Sequence, residues 1–182
     1  MHHALVRTAA LFRPCLLALA LAAAPCAAGE LEAMQGAPTA PRLKLEGLDG
    51  QLHSLKSHRG QVVLVNFWGT WCPPCVAEMP SLQRLQSQLS DERFTLLTVN
   101  YGENAHRVAH FRDQRGLDIR VLLDPDLAAA DAWGVDFLPT SFRLDTEGRV
   151  RYRAYGELDW DTPEVVDRVE RLLREAGAER KR

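Results

Sequence analysis

Cys72-Pro73-Pro74-Cys75 stands between two stretches of different periodicity, and that junction restricts the fold more than any other feature of the chain. Before it, Val62-Val63-Leu64-Val65 is a continuous apolar run, as expected of a strand buried on both faces. After it, Val76, Met79, Leu82, Leu85 and Leu89 recur at helical spacing and make one apolar stripe. Pro80 falls inside this stretch and predicts a kinked helix rather than two separate ones. A strand that hands a C-x-x-C pair to a helix N-terminus is the context in which this spacing reads as a redox motif. There the first cysteine, Cys72, is expected to be exposed, facing unpaired N–H groups and the positive end of the helix dipole, which favour the attacking thiolate. Cys75, one turn on, is close enough to resolve a mixed disulfide formed by Cys72 and is less open to attack from outside.

Cysteine usage supports the same chemistry. The first thirty residues hold Arg7 and Arg13 as their only charges before Glu30, then an apolar run from Cys15 to Ala24 and the small residues Cys26-Ala27-Ala28. This reads as a signal peptide over residues 1–28, cleaved near Ala28. The apolar run of about 14 residues is shorter than the ~20 that a spanning helix needs. An uncleaved membrane anchor is the alternative, since Ala9 to Phe12 lengthen the segment. Cleavage removes Cys15 and Cys26 and leaves Cys72 and Cys75 alone. A disulfide across two residues closes a ring too small to stabilise much by chain entropy, so chemistry is the better explanation for the pair. A structural zinc site would need four ligands, and no second C-x-x-C or Cys-His cluster accompanies this one. A non-enzymatic metallochaperone or holding chaperone that uses the cysteines as ligands is the competing class. His106 and His110, four apart on an expected helix, lack an evident third ligand and read as an exposed face.

The 182 residues suit one domain, and a net charge of −2 gives no reason to expect nucleic acid as a partner. Residues 29–41, with Gly29, Gly36, Pro38 and Pro41 among alanines, read as a linker, and residues 42–182 as the domain. Arg42 to Leu45 alternates and Asp49-Gly50 marks a turn, so a β-hairpin is expected there. Strands follow at 61–68, 94–99, 119–123, 141–144 and 149–155, and helices after the cysteines, at 104–115 and at 127–133. Thr162 as N-cap and Pro163 at the first position open a last helix with Val165, Val166, Val169, Leu172 and Leu173 inward and Gly177 beyond its end. This order makes an α/β sandwich around a mixed sheet.

The stretch Val62 to Cys75 with Glu78-Met79-Pro80, together with Gly134-Val135-Asp136-Phe137-Leu138-Pro139-Thr140, resembles the TlpA/ResA-type thioredoxin-like thiol–disulfide oxidoreductases over residues 40–176. The resemblance implies a thioredoxin-like fold, with a central mixed sheet, helices on both faces and an N-terminal hairpin extension. It implies a reductase outside the cytoplasm, in the periplasm or its equivalent, acting on client proteins with disulfides and recharged by a membrane thiol–disulfide electron donor. No organic cofactor or metal is required; a disulfide oxidase would use the same couple in the other direction. Residue by residue, Cys72 matches the nucleophile, Cys75 the resolving cysteine and Pro139 a cis-proline facing them. Trp68 and Trp71 match aromatics that flank the site. Glu78 lies three residues after Cys75 on the same side of the helix, and a partly buried carboxylate there would have a raised pKa and could exchange a proton with Cys75. Cytoplasmic thioredoxins carry an aspartate where this chain has Asn66, and losing that acid while gaining Glu78 fits the same group. Thr140 stands where the cytochrome c maturation branch usually has glutamate, which argues against a haem pathway. Gly69 replaces a common alanine, a change expected to be mild.

Overall fold

The computed structural model describes residues 31–89 and 93–179. The expected leader, residues 1–28, lies outside the described residues. Within them, β-strands are β1 Leu31–Ala33, β2 Lys44–Glu46, β3 Leu52–Ser54, β4 Val62–Trp68, β5 Phe94–Tyr101, β6 Val121–Asp124, β7 Thr140–Leu144 and β8 Val150–Tyr155. The α-helices are α1 Pro73–Gln88, α2 Ala105–Gln114, α3 Ala128–Ala132 and α4 Pro163–Glu179. Six strands form one mixed sheet in the order β1-β8-β7-β4-β5-β6, while β2 and β3 pair separately as the N-terminal hairpin. β4, β5 and β6 are parallel, and β7, β8 and β1 continue the sheet in antiparallel pairings.

The pleat of β4 explains its unbroken apolar run, because all seven residues are buried. Val62, Leu64 and Trp68 face a core closed by α1, α2 and α4. Val63, Val65 and Phe67 face a second core that holds Trp133 and Val135, with Leu43 from the hairpin side. Successive side chains point to opposite faces, so both cores are built from one strand. On α1, Met79, Leu82 and Leu85 are fully buried, each such residue contributing about 1.5–3 kcal/mol by leaving water. α1 continues through Pro80 without a break in its residue range.

Two sequence expectations are corrected. The segment read as a linker supplies a strand: Leu31 pairs with Ala154, Glu32 with Arg153 and Ala33 with Tyr152. Further along it, Met34 N–H donates to Arg151 O at 2.9 Å and Val150 N–H donates to Pro38 O at 2.8 Å. Leu31 is buried among apolar residues, and Arg168 of α4 donates to its carbonyl at 3.0 Å, so an edge strand is held in place from two sides. The last helix runs through Gly177 to Glu179 instead of stopping before it. A glycine inside a helix costs about 1 kcal/mol relative to alanine, an amount that its helix-forming neighbours Ala176, Ala178 and Glu179 can offset. Thr162 caps this helix as expected, accepting from Val165 N–H at 3.4 Å. Among the described residues no helix is long and apolar enough to cross a membrane.

Candidate active site

The end of β4 leads through Gly69, Thr70 and Trp71 to Cys72, the N-cap of α1. Cys72 and Cys75 are disulfide-bonded, and Cys72 Sγ also accepts from Cys75 N–H at 3.3 Å. Cys72 is 5% exposed and Cys75 is fully buried, so the expected asymmetry exists, but Cys72 is far less open than a free helix end would leave it. It lies in the floor of a cleft of about 430 Å³ whose walls include Trp71, Tyr101, Phe137 and Leu138. Trp71 is 56% and Phe137 69% exposed, unusual for such large apolar side chains. Among the described residues Asp136 is the one charged residue lining the cleft.

The Leu138–Pro139 peptide bond is cis, as the motif implied. Leu138 lines the cleft, whereas Pro139 is buried and its carbonyl accepts from Gly156 N–H at 2.9 Å.

Glu78 sits one turn beyond Cys75 and is 1% exposed, more deeply buried than a partly buried helix residue. Its Oε1 accepts from Asn66 Nδ2 at 2.7 Å; its Oε2 accepts from Trp160 Nε1 at 3.0 Å and from Leu158 N–H at 3.2 Å. Burial pushes the Glu78 pKa up to about 7, against these hydrogen bonds from Trp160, Asn66 and Leu158, which favour the carboxylate. Asn66 also donates to Ser141 Oγ at 2.9 Å, tying β7 into the same network. Ser81 completes it, accepting from Trp160 N–H at 3.1 Å.

A second carboxylate positions the loop before Cys72. Glu103 accepts from Thr70 N–H at 2.7 Å, Thr70 Oγ1 at 2.5 Å and Asn100 Nδ2 at 2.8 Å, and pairs with Arg107 Nε at 2.7 Å. Burial alone would raise its pKa, but these hydrogen bonds and the Arg107 charge outweigh that and hold it below the usual carboxylate value. Glycine at 69 gives Trp71 its place: a Cβ there would lie 2.9 Å from the indole Nε1 and Cε2 atoms.

The structure thus brings Cys72, Cys75 and the Leu138–Pro139 turn to one end of the sheet, with Glu78 on the buried side of α1. It adds Trp160, Leu158, Ser141, Glu103 and Thr70, which the sequence did not mark, along with the wall residues Tyr101 and Phe137. The one local hint was Trp160 itself, a large aromatic in the acidic loop Leu158-Asp159-Trp160-Asp161. His106 and His110 are exposed on α2, and among the described residues no group of three or more His, Cys, Asp or Glu is arranged to hold a metal.

A buried disulfide at the N-terminus of the helix after the central strand, beside a cis-proline turn, defines a thioredoxin-fold dithiol–disulfide protein. The redoxin family model matches residues 34–171, and the chain belongs to that family, among its TlpA/ResA-type thioredoxin-like members. The thiol-disulfide oxidoreductase ResA of Geobacillus thermodenitrificans is 39% identical over 113 residues, 62% of this chain and 65% of that protein. ResA of Geobacillus kaustophilus is 36% identical over 130 residues, 71% of this chain and 73% of that protein. Among solved structures, a thioredoxin-family thiol:disulfide interchange protein from Chlorobium tepidum superimposes with a TM-score of 0.62 at 29% identity, covering 72% of this chain and 96% of that one. A secreted thiol-disulfide isomerase from Corynebacterium glutamicum superimposes with a TM-score of 0.67 at 25% identity, covering 76% and 90%. The enzyme class is therefore thiol–disulfide oxidoreductase.

Proposed function

We propose that this protein reduces disulfides of client proteins outside the cytoplasm. The observation that carries the reading is the asymmetry of the pair: Cys72 opens to an apolar cleft, while Cys75 is sealed behind it on the helix that carries buried Glu78. The reduced enzyme begins with the Cys72 thiolate, stabilised at the helix N-terminus, attacking one sulfur of a client disulfide. A mixed disulfide forms and the first client sulfur leaves as a thiolate. Cys75 then loses its proton, for which Glu78 with a pKa of about 7 is the acceptor, and attacks Cys72 Sγ. The second client sulfur leaves, and Cys72–Cys75 is oxidised. Two electrons have passed to the client, whose two thiolates take up the proton held by Glu78 and one from solvent, and a membrane thiol–disulfide donor re-reduces the Cys72–Cys75 pair.

Electrostatics favour reduction over oxidation. Strong oxidants owe their potential to a stabilised thiolate in the reduced form. Here the buried acid on α1 opposes a thiolate on Cys75, and Arg107, which donates to Thr70 Oγ1 at 3.0 Å, is paired with Glu103. This destabilises the reduced, ionised pair and favours the disulfide, which makes the dithiol a reductant. Export is supported by the sequence of residues 1–28, in which Arg7 and Arg13 precede an apolar run and small residues; N-terminal sequencing of the native protein should begin near Gly29.

The test is a redox titration of the full chain against a dithiol buffer. The expected potential lies near the roughly −270 mV of a thioredoxin, well below the roughly −120 mV of a strong oxidant. A value at the oxidising end would reverse the direction. Cys75→Ser should trap clients as mixed disulfides through Cys72, and an absence of any such adduct in cells would count against a client-directed enzyme.

A further inference from the structure

The exposed face of α1 next to the cysteines is apolar where a surface helix normally carries charge. Pro73, Ala77 and Pro80 are exposed and Val76 is half-buried. With Thr70 and Trp71 they line a groove of about 530 Å³ that shares Trp71 and Pro73 with the cleft walled by Tyr101 and Phe137. A smaller hollow lined by Met79, Phe111 and Leu117 shares Val76, Pro80 and Arg115 with it, so the two run together between α1 and α2. Among the described residues Arg115 is the only charged one lining either. It is exposed, stacks 5.3 Å from the Phe111 ring centroid, and has no carboxylate partner among the described residues. The neighbouring cation on α2, Arg107, is by contrast neutralised by Glu103 at 2.7 Å.

We propose that this α1–α2 groove is a second docking subsite for the client polypeptide, taking an apolar side chain and then a carboxylate that pairs with Arg115. The inference rests on the proposed reductase reading and extends it to client selection. Its occupant follows from position and charge. The cleft and the groove share Trp71 and Pro73, so a polypeptide joined to Cys72 by a mixed disulfide reaches the groove by crossing these two residues. From Pro73 to Pro80 the helix rises about 10 Å, a span that an extended chain covers in three or four residues. The acid should therefore stand about three to five residues from the reacting client cysteine. Among the described residues no carboxylate lines the groove to repel it.

The test uses the reduced full chain and synthetic peptides, each with one cysteine disulfide-linked to a chromogenic aromatic thiol. The cysteine is flanked by leucine and alanine, with Asp, Asn or Lys placed four residues away on the N-terminal side in one series and on the C-terminal side in the other. In one series the rate should follow Asp over Asn over Lys, by about 2- to 5-fold per step at low salt, the size of an exposed ion pair. The order should fade at 1 M salt, where the screening length is about 3 Å. Arg115→Glu should invert it, and Ala77→Glu, at an exposed helix position, should slow the Asp peptide selectively. No charge order in either series, or an order that Arg115→Glu leaves intact, overturns the subsite. If phosphatidylglycerol vesicles instead bind the reduced chain through Arg115, with no peptide order, the groove faces lipid and the proposal is wrong. A small neutral disulfide, hydroxyethyl disulfide, separates the two readings. Its reduction without a peptide charge order overturns the subsite alone, whereas no reduction of it or of any peptide overturns the reductase reading and the subsite together.

Discussion

Trp160 Nε1 donates to Glu78 Oε2 at 3.0 Å, joining residues 82 positions apart in a pocket closed to solvent. A buried carboxylate costs free energy unless donors surround it, and this indole supplies one of three. Trp160→Phe keeps most of the packing but removes the donor. The Glu78 pKa should then rise above about 7, because the lost hydrogen bond favoured the ionised form. The cost should depend on pH: a hydrogen bond to a charged group is worth about 1.5–3 kcal/mol and a neutral one about half that. Urea unfolding of the oxidised protein should show a larger loss at pH 8 than at pH 5. Equal losses would mean that the indole only fills space.

Glu78 also sets how stability varies with pH. Its folded pKa, about 7, lies above the ordinary 4.5, so between those values the folded state holds a proton that the unfolded state has released. Stability should therefore fall as pH rises from 4.5 to 7 and level off above, by roughly 3 kcal/mol in all. Glu103, held low, acts oppositely: its contribution is present above its unfolded pKa and is lost as pH falls. Comparison with Glu78→Gln isolates the first effect. The amide can still accept from Trp160 and Leu158, and Asn66 can turn its unpaired Oδ1 toward the new NH₂. The variant should fold, gain stability above pH 7 and lose the decline. A decline of the same size in both proteins would assign it to other groups.

Arg143 on β7 is fully buried, and among the described residues none lies within ordinary hydrogen-bond geometry of its three guanidinium nitrogens. Burial lowers its pKa to about 10, so it remains a cation at neutral pH; Tyr152, whose ring centroid lies 3.9 Å away, favours the charge in part, and Arg168 and Arg171 of α4 add repulsion. A buried charge with no carboxylate partner is expensive. Arg143→Met, similar in length and free of charge, should raise stability by about 1–3 kcal/mol in urea unfolding at pH 7. A clear loss would show that the cation is bound by a solvent molecule or anion.

Gly69→Ala should act on Trp71 rather than on the backbone. The new methyl would lie 2.9 Å from the indole, whose ring is exposed and free to swing. Stability should change by less than about 1 kcal/mol, as at other surface sites. The edge contact of Trp71 with Tyr101, at 6.4 Å between centroids, should be lost, which near-ultraviolet circular dichroism would register. An unchanged aromatic spectrum would mean that alanine fits without moving the ring.

Much of this frame is legible from local pattern. The run Val62 to Val65, the stripe through Met79, Leu82 and Leu85, and the Thr162-Pro163 start each act within a few residues, where strand pleat, helical period and capping operate. β1 was not legible, because three residues give no period and its neighbours Gly36, Pro38 and Pro41 suggest a linker. Its pairing is decided by β8, more than a hundred residues away. The site divides in the same way. The C-x-x-C spacing and the position of Glu78 are local, whereas Trp160, Ser141 and the Thr70–Glu103 contact are long-range pairings that no spacing encodes. The depth of Cys72 is not legible for the same reason: helix N-termini are open by default, and here Trp71 and the turn before Pro139 close in.

The catalytic share of Glu78 is separable from its share in stability. If it takes the Cys75 proton during resolution, removing the titratable group should slow that step while leaving the first attack by Cys72 nearly unchanged. General acid–base assistance is worth roughly 10²–10⁴-fold, and water reaching the site in the mixed disulfide would substitute in part, so a loss near 10²-fold or somewhat less is expected for Glu78→Gln. The pH profile should change with the rate, because two thiols and a carboxylate on one helix titrate as a set. In the wild type the resolution rate should rise through pH 7 as Glu78 ionises and becomes able to accept a proton. In Glu78→Gln the rise should move to the alkaline range, where the Cys75 thiol ionises unaided, nearer the ordinary thiol value of about 8.5 or above it. The measurement is single-turnover resolution of a preformed Cys72 mixed disulfide across pH for both proteins. Superimposable profiles would reduce Glu78 to a structural acid held by Trp160 and Asn66, leaving the proton of Cys75 to solvent.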